Sequence, residues 1–186
     1  MENQTLKAIF ERSSIRAYAK EPLAKDAVDT LKQVALSAPT AMNRQELRFF
    51  FITSQKMISQ IERAAIASYK ASGNKEVVDR IESRGNTLMY HAPLFVIVAI
   101  NPHNCYAKID AGIAVSHLAI AAKSMGLDSV ILGLPSAAFN GETGDDMKQK
   151  LGLPEGYEYA IGISIGQAAM QKSPHESDES HIIDVE

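Results

Sequence analysis

The sequence of 186 residues contains a single cysteine, Cys105, and no tryptophan. One cysteine excludes an internal disulfide and a metal site built from several thiolates. No run approaches the roughly 18 consecutive apolar residues that a membrane-spanning helix needs. Residues 1–16 also lack the apolar stretch of a signal peptide. We therefore expect a cytoplasmic protein that does not enter a membrane.

Neither sign of charge is in large excess. The formal net charge is -3, from 19 Lys and Arg against 22 Asp and Glu. Such a balance gives the whole molecule no attraction to nucleic acid, and we expect no nucleic-acid partner. The charge is uneven along the chain, because residues 7–16 are basic and residues 176–186 carry five carboxylates without a Lys or Arg.

Signatures of several enzyme classes are also missing. The five histidines form no His-x-x-x-His or His-Glu-x-x-His pair, so no metal site is predicted. The Gly-x-Ser-x-Gly spacing of a nucleophile motif occurs at 162–166, but inside a strand-like run and not at the strand-to-helix turn that this motif needs. There is no phosphate-binding Gly-x-x-x-x-Gly-Lys motif. Gly162 and Gly166 lie inside a strand-like run, so they are not a dinucleotide fingerprint. His117 is interpreted as a core or interface histidine. Cys105 has only Lys108 as a cation nearby in sequence, so a catalytic thiol is not predicted.

Apolar periodicity predicts alternating helices and strands in one domain, residues 1–186. The run 94–100 is the strongest strand signal, and 25–37 is a clear amphipathic helix. Asp110 is predicted to cap a helix reaching about Met125, which is apolar around most of its circumference and therefore buried on several sides. Further helices are predicted before Arg12, over 57–73, near 77–81 and over 143–151, and further strands over 48–53, 129–133 and 159–166.

Two polar segments could bind a ligand. Arg12-Ser-Ser-Ile-Arg16 holds two guanidinium and two hydroxyl groups, which suit a phosphate. If this segment is extended, Arg12, Ser14 and Arg16 point to one side. The segment 38–45, Ala-Pro-Thr-Ala-Met-Asn-Arg-Gln, offers amides that could read the edge of a heterocycle. On spacing alone, a solvated basic stretch and a plain helix-to-strand loop remain open for the two segments.

The order of these motifs resembles the nitroreductase family. Arg-x-Ser-x-Arg comes first, then Ala-Pro-Thr-Ala-x-Asn-x-Gln just before a strand. Tyr-His-Ala-Pro at 90–93 precedes the strand 94–100, and Asp-Ala-Gly-Ile-Ala-Val at 110–115 opens the long helix. The strand and glycine at 129–133 and the segments 151–157 and 163–166 follow in the family's order. The resemblance spans nearly the whole chain.

The resemblance implies an α+β fold, an α/β sandwich in which helices flank a central mixed sheet. It also implies an intertwined homodimer with FMN at the interface, and a C-terminal tail, residues 167–186, that would extend onto the partner subunit. The expected FMN-binding residues form three groups and a tail residue: Arg12, Ser13, Ser14 and Arg16; Pro39, Thr40, Ala41, Met42, Asn43 and Gln45; Ile131, Leu132 and Gly133; and Lys172.

The resemblance assigns different parts of the flavin to these groups. Arg12 and Ser14 would hold the phosphate, and Arg16 would lie near the N1 and O2 edge, where reduction places negative charge. The loop before the strand would line the ring from the partner subunit, and Gly133 would let the backbone come close to it.

The implied reaction is a ping-pong oxidoreduction without a catalytic side chain. NADH or NADPH would pass hydride to flavin N5, and a nitroaromatic, quinone or similar acceptor would then take the electrons. Two alternatives are a flavin-binding or sensing protein without turnover, and a relative that dehalogenates or fragments the flavin.

The chain departs from the family pattern in two places. Glu46 and Leu47 stand where many members have proline and an aromatic residue. The basic residue that many members carry in the tail for the phosphate corresponds here to Lys172 or to His175.

Overall fold

The computed structural model describes residues 3–141 and 144–185. Within these ranges the helices are α1 (Gln4–Glu11), α2 (Lys25–Ser37), α3 (Gln55–Ala71), α4 (Lys75–Glu82), α5 (Ala107–Ser124) and α6 (Gly144–Leu151). The strands are β1 (Arg48–Ile52), β2 (Leu94–Ile100), β3 (Asp128–Leu132) and β4 (Glu158–Gly166). Short 3-10 turns span Ala41–Asn43, Leu134–Phe139 and Glu179–His181.

The predicted elements agree closely with these bounds. The helix 25–37 and the strand 94–100 match α2 and β2 at both ends. The helix predicted over 143–151 corresponds to α6, and Thr143 itself lies outside the described residues. The α+β class, with helices flanking a central sheet, is confirmed.

The four strands form one sheet in the order β1-β2-β4-β3. Its strand pairs are antiparallel, and Phe50, Ile97, Gly162 and Leu132 form one row across the sheet. The expected parallel component is an isolated bridge from Ser14 to Ser129 on β3. β1 and β3 are therefore the two edge strands.

The sheet is covered on both faces, because β2 alternates its side chains between two apolar clusters. Leu94 and Val96 pack with residues of α2 and α5. Phe95 and Ile97 pack with residues of α3, α4 and α6 on the other face. All of β2 is buried, as expected for a central strand covered on both faces.

Gly162 makes room for the packing on this second face. A Cβ at Gly162 would meet the Tyr159 hydroxyl at 2.6 Å and the Phe95 ring at 2.7 Å. The core packing therefore requires a glycine at this position.

The helix predicted from Asp110 begins three residues earlier, so the prediction of Asp110 as an N-cap was wrong. α5 starts at Ala107, Tyr106 occupies the cap position, and Asp110 lies in the first turn. One side of α5 is buried in the single chain. The other side shows a stripe at helical spacing, which is exposed or half-buried: Ile109, Gly112, Ile113, Ser116, His117 and Ile120.

Candidate functional site

Residues 12–16 follow α1 as an extended segment. Arg12 has φ -62° and ψ 127°. Ser13 and Ile15 are buried at 4% and 3% exposure, while Arg12, Ser14 and Arg16 are half-buried. This alternation confirms the geometry predicted for the segment, with the two guanidinium groups and the Ser14 side chain on the side away from the core.

Backbone contacts align this segment with β3. Ser14 and Ser129 form a parallel bridge, and the Ile15 amide donates to the Ser129 carbonyl at 3.0 Å. Because the bridge is parallel, the segment runs in the same direction as β3, towards Gly133. Arg16 is therefore nearer than Arg12 to the Gly133 end of the strand.

A buried tyrosine fixes the same segment from the core. The Tyr18 hydroxyl donates to the Ile15 carbonyl at 2.8 Å and to the Ser164 carbonyl at 3.3 Å. Burial raises the pKa of Tyr18 far above its usual value, and the nearby Asp128 adds to this rise. The tyrosine is therefore a neutral donor that stabilises the position of the segment.

The start of the C-terminal tail lies against the other side of the segment. The Ala169 amide donates to the Ala17 carbonyl at 2.9 Å, and the Ser13 hydroxyl donates to the Lys172 carbonyl at 2.9 Å. The second contact places the Lys172 main chain beside Ser13, whose side chain points to the opposite side of the segment from Arg12, Ser14 and Arg16. It also occupies the hydroxyl proton of Ser13. The alternation of the extended segment leaves Ser14 as the serine whose side chain lies on the same side as the arginines.

The guanidinium of Arg16 is incompletely paired. Its Nε is buried and has no hydrogen-bond partner among the described residues, and its Nη1 reaches the Ser14 carbonyl only at 3.4 Å. A buried donor without a partner is rare in native proteins, because it loses its hydration without compensation. The site is therefore suited to an additional acceptor, such as an anionic ligand.

The loop before β1 has an unusual backbone. Met42, Asn43 and Gln45 have φ values of 53°, 52° and 52°, in the left-handed region that residues with a Cβ rarely adopt. Met42 is 70% exposed, and Pro39 and Asn43 are also exposed. Such strained, exposed segments concentrate at binding sites, where surrounding contacts maintain them.

Two of those contacts come from polar side chains. Asp110, only 4% exposed, accepts a hydrogen bond from the Ala41 amide at 3.0 Å. The Thr40 hydroxyl accepts from the Gln45 amide at 3.0 Å. Sequence reasoning missed the role of Asp110, because an acidic residue before an apolar run also fits a helix cap.

The third group lies at the C-terminal end of β3, where Ile131 and Leu132 are the last strand residues and Gly133 follows them. Ile131 is partly exposed, but Leu132 is buried in the core, so only its backbone can face a ligand. A Cβ added at Gly133 would meet nothing within 4 Å. The glycine thus borders open space, which leaves room for a planar ring beside its backbone.

The polar groups lie at opposite edges of the sheet. The segment 12–16 and Gly133 belong to the β3 edge, whereas the loop 39–45 leads into β1. Three strand spacings, about 14 Å, separate these edges. The structure therefore brings the first group, Lys172 and the β3 residues together, but it does not bring the loop 39–45 to them within one chain.

Two structural features are absent from the described residues. No helix in residues 3–141 and 144–185 is both long enough and apolar enough to cross a bilayer. The same residues contain no group of three or more His, Cys, Asp or Glu that could hold a metal ion.

Comparisons with known proteins agree with this architecture. A model of the nitroreductase family matches residues 9–167. The chain belongs to the nitroreductase family. A solved nitroreductase with bound FMN from Desulfitobacterium hafniense DCB-2 is 32% identical, with a TM-score of 0.95 and full coverage of both chains.

Other nitroreductase relatives are more distant. A nitroreductase with bound FMN from Bacteroides fragilis is 24% identical over the full length of both chains, with a TM-score of 0.90. An FMN reductase that uses NAD(P)H, from Bacillus subtilis, is 24% identical over 178 residues, which are 90% of this chain and 67% of that protein.

Proposed function

We propose that the chain is an FMN-dependent NAD(P)H oxidoreductase. The observation that carries the proposal is the row formed by Arg12, Ser14 and Arg16, in which the buried Arg16 Nε has no partner. The similarity to a nitroreductase with bound FMN over the whole chain supports the same ligand.

Within this proposal, Arg12, Ser14 and Lys172 hold the FMN phosphate. Two cations and a hydroxyl match a phosphate dianion, because hydrogen bonds to charged groups are stronger than hydrogen bonds between neutral groups. Lys172 is preferred over His175 because the Ser13 hydroxyl holds the Lys172 main chain against the segment that carries Arg12 and Arg16.

Arg16 is proposed to lie at the N1 and O2 edge of the flavin. The parallel bridge supports this order, because it places Arg16 nearer than Arg12 to Gly133. A fixed cation near that edge stabilises the negative charge that reduction creates. Ile131, Leu132 and Gly133 would border the ring, with Leu132 contributing through its backbone.

The loop Pro39, Thr40, Ala41, Met42, Asn43 and Gln45 is proposed to reach the flavin from a second copy of the chain. The distance between the sheet edges supports this, since one chain keeps the loop away from its own Arg12–Arg16 row. The exposed stripe on α5 is a suitable homodimer surface, because Gly112 and Ser116 allow close helix packing beside Ile109 and Ile113. The tail, residues 167–186 of a single domain, would extend onto the partner, and its residues 169–185 are exposed in the single chain.

FMN, when bound, would accept hydride from NADH or NADPH and reduce a nitroaromatic, quinone or similar acceptor in alternate half-reactions. The side chains need only bind the cofactor, orient it and stabilise charge. No side chain is assigned to transfer a proton.

Two measurements on the purified protein test this proposal. We expect flavin absorption bands, or their gain when the colourless protein is titrated with FMN. We then expect NADH or NADPH to bleach these bands in stopped flow, followed by recovery with a quinone. A protein that does not take up FMN would refute the proposal, whereas uptake without bleaching would favour a binding or sensing role.

A further inference from the structure

The loop between α2 and β1 has a second anchoring contact at its β1 end, made by the carboxylate of Glu46. Glu46 Oε2 accepts a hydrogen bond from Asn104 Nδ2 at 2.9 Å. Glu46 is half-buried and Asn104 is 8% exposed. The two residues are 58 positions apart in sequence, so this contact ties the loop to the turn that precedes α5.

Asn104 is itself fixed by further hydrogen bonds. Its side-chain Oδ1 accepts from the Tyr106 backbone amide at 3.0 Å, and its backbone amide donates to the Asn101 carbonyl at 3.2 Å. The Ala107 amide donates to the Asn104 carbonyl at 3.0 Å. Asn104 therefore presents its side-chain amide to Glu46 from a rigid base at the start of α5.

The two carboxylates bracket the strained part of the loop. Asp110 holds the Ala41 amide at one end, and Asn104 holds Glu46 at the other. Between them lie Met42 and Gln45, with positive φ. Residues with a Cβ keep such backbone conformations only where surrounding contacts oppose relaxation.

We propose that Glu46 and Asn104 are positioning residues that hold residues 40–46 in the conformation required to contact the flavin. The inference rests on the proposed function, because it assigns a purpose to the strained conformation. Neither residue needs to touch the cofactor. They act by keeping Asn43 and Gln45 in place, so that FMN binding does not have to order the loop.

The hydrogen bond between Asn104 and Glu46 can be broken by one substitution and restored in the opposite direction by a second. Asn104→Asp keeps the Oδ1 acceptor for Tyr106 but replaces the donor to Glu46 with a second carboxylate. The double variant Glu46→Gln with Asn104→Asp restores a donor and an acceptor in the opposite direction. Asn101→Asp is the matched control, because it adds the same charge to the same turn and keeps the Oδ1 that accepts from the His103 amide.

The first measurement does not depend on flavin. Amide hydrogen exchange of residues 40–46 reports on the loop, because the amides of Ala41, Asn43, Arg44 and Gln45 are all hydrogen-bonded there. We expect Asn104→Asp to accelerate their exchange by about tenfold, and the double variant to restore most of the protection. Exchange in β2 should not change, which would separate loop opening from loss of global stability.

The second measurement is FMN affinity. We expect Asn104→Asp to weaken FMN binding by about tenfold, the double variant to recover it, and Asn101→Asp to bind like the wild type. Glu46→Ala, which removes the acceptor without adding charge, should give the same weakening and serves if Asn104→Asp does not fold.

The outcomes separate this inference from the proposed function. Unchanged loop exchange in both Asn104→Asp and Glu46→Ala would overturn the positioning role. If the double variant does not restore the lost amide protection and FMN affinity, Asn104 stabilises only its own turn, and the positioning role is also overturned. Faster loop exchange with undiminished FMN affinity would show that the loop conformation does not serve flavin binding. A wild type that does not bind FMN at all refutes the proposed function instead.

Discussion

Arg16→Ala should lower the two-electron midpoint potential of bound FMN. Arg16 has a buried Nε without a hydrogen-bond partner, and it lies nearer than Arg12 to the Gly133 end of β3. If it faces the N1 and O2 edge, its contact with the flavin is stronger in the reduced state, which carries more negative charge. Removing the cation then disfavours reduction, so the potential falls.

The size of this shift follows from one charge-assisted contact. A hydrogen bond to a charged group is worth roughly 1.5–3 kcal/mol. For a two-electron couple, about 30 mV corresponds to roughly 1.4 kcal/mol. We therefore expect a fall of about 30–60 mV in Arg16→Ala if most of the contact is specific to the reduced state, and a smaller fall in Arg16→Lys, which keeps the charge.

Spectroelectrochemical titration measures the potential directly. Arg12→Ala is the informative comparison, because a phosphate ligand remote from the ring should change affinity and leave the potential near the wild-type value. Arg80→Ala, which removes an exposed arginine on α4, should change neither quantity. A potential that does not move in Arg16→Ala, with weaker FMN binding, would place Arg16 on the phosphate and refute the assignment to the ring edge.

The remaining predictions concern the phosphate site, assembly and alkaline stability. Titration of apoprotein with FMN should show that Arg12→Ala weakens binding about tenfold or more and by more than Lys172→Ala, since the exposed lysine is more weakly fixed; the opposite order would make Lys172 the main phosphate ligand. Light scattering at micromolar concentration should give a dimer, and Ile109→Glu, which charges a residue 61% exposed in the single chain, should give a monomer that does not retain FMN; a wild-type monomer that holds FMN would contradict the shared site. Because burial raises the pKa of Tyr18 above its ordinary value of about 10, the unfolded chain loses this proton first, and stability should fall as pH rises beyond about 10. Urea unfolding should show a shallower fall for Tyr18→Phe, which also loses roughly 1–3 kcal/mol at neutral pH, and an unchanged slope would exclude Tyr18 as a contributor.

Local patterns were sufficient for most of the secondary structure. The apolar stripe of α2 and the continuous apolar run of β2 set their bounds, because each has a length and period that only one element satisfies. The start of α5 could not be predicted in this way. Tyr106 is a weak cap, and the asparagine-rich turn at 101–104 positions the helix through contacts that span several residues.

The sequence also identified the residues that are candidates to bind FMN, but not the contacts that hold those residues in position. Residues 12–16 could be read as an extended row, since alternation depends only on neighbouring residues. The positive φ values at Met42 and Gln45 could not be read, because neither residue favours that conformation. They are maintained by Asp110 and by the Glu46–Asn104 pair, whose partners are distant in sequence.

The sequence alone determined most of the elements, the family resemblance and the residue types available to a flavin. Only the tertiary structure decided where those residues lie. The row 12–16 is joined to β3 and the loop 39–45 precedes β1, and the strand order places these two strands at opposite edges of the sheet. Strand order depends on pairing between segments far apart in the chain, which no local pattern encodes. This separation is the physical basis for the proposal that a second copy of the chain completes the site.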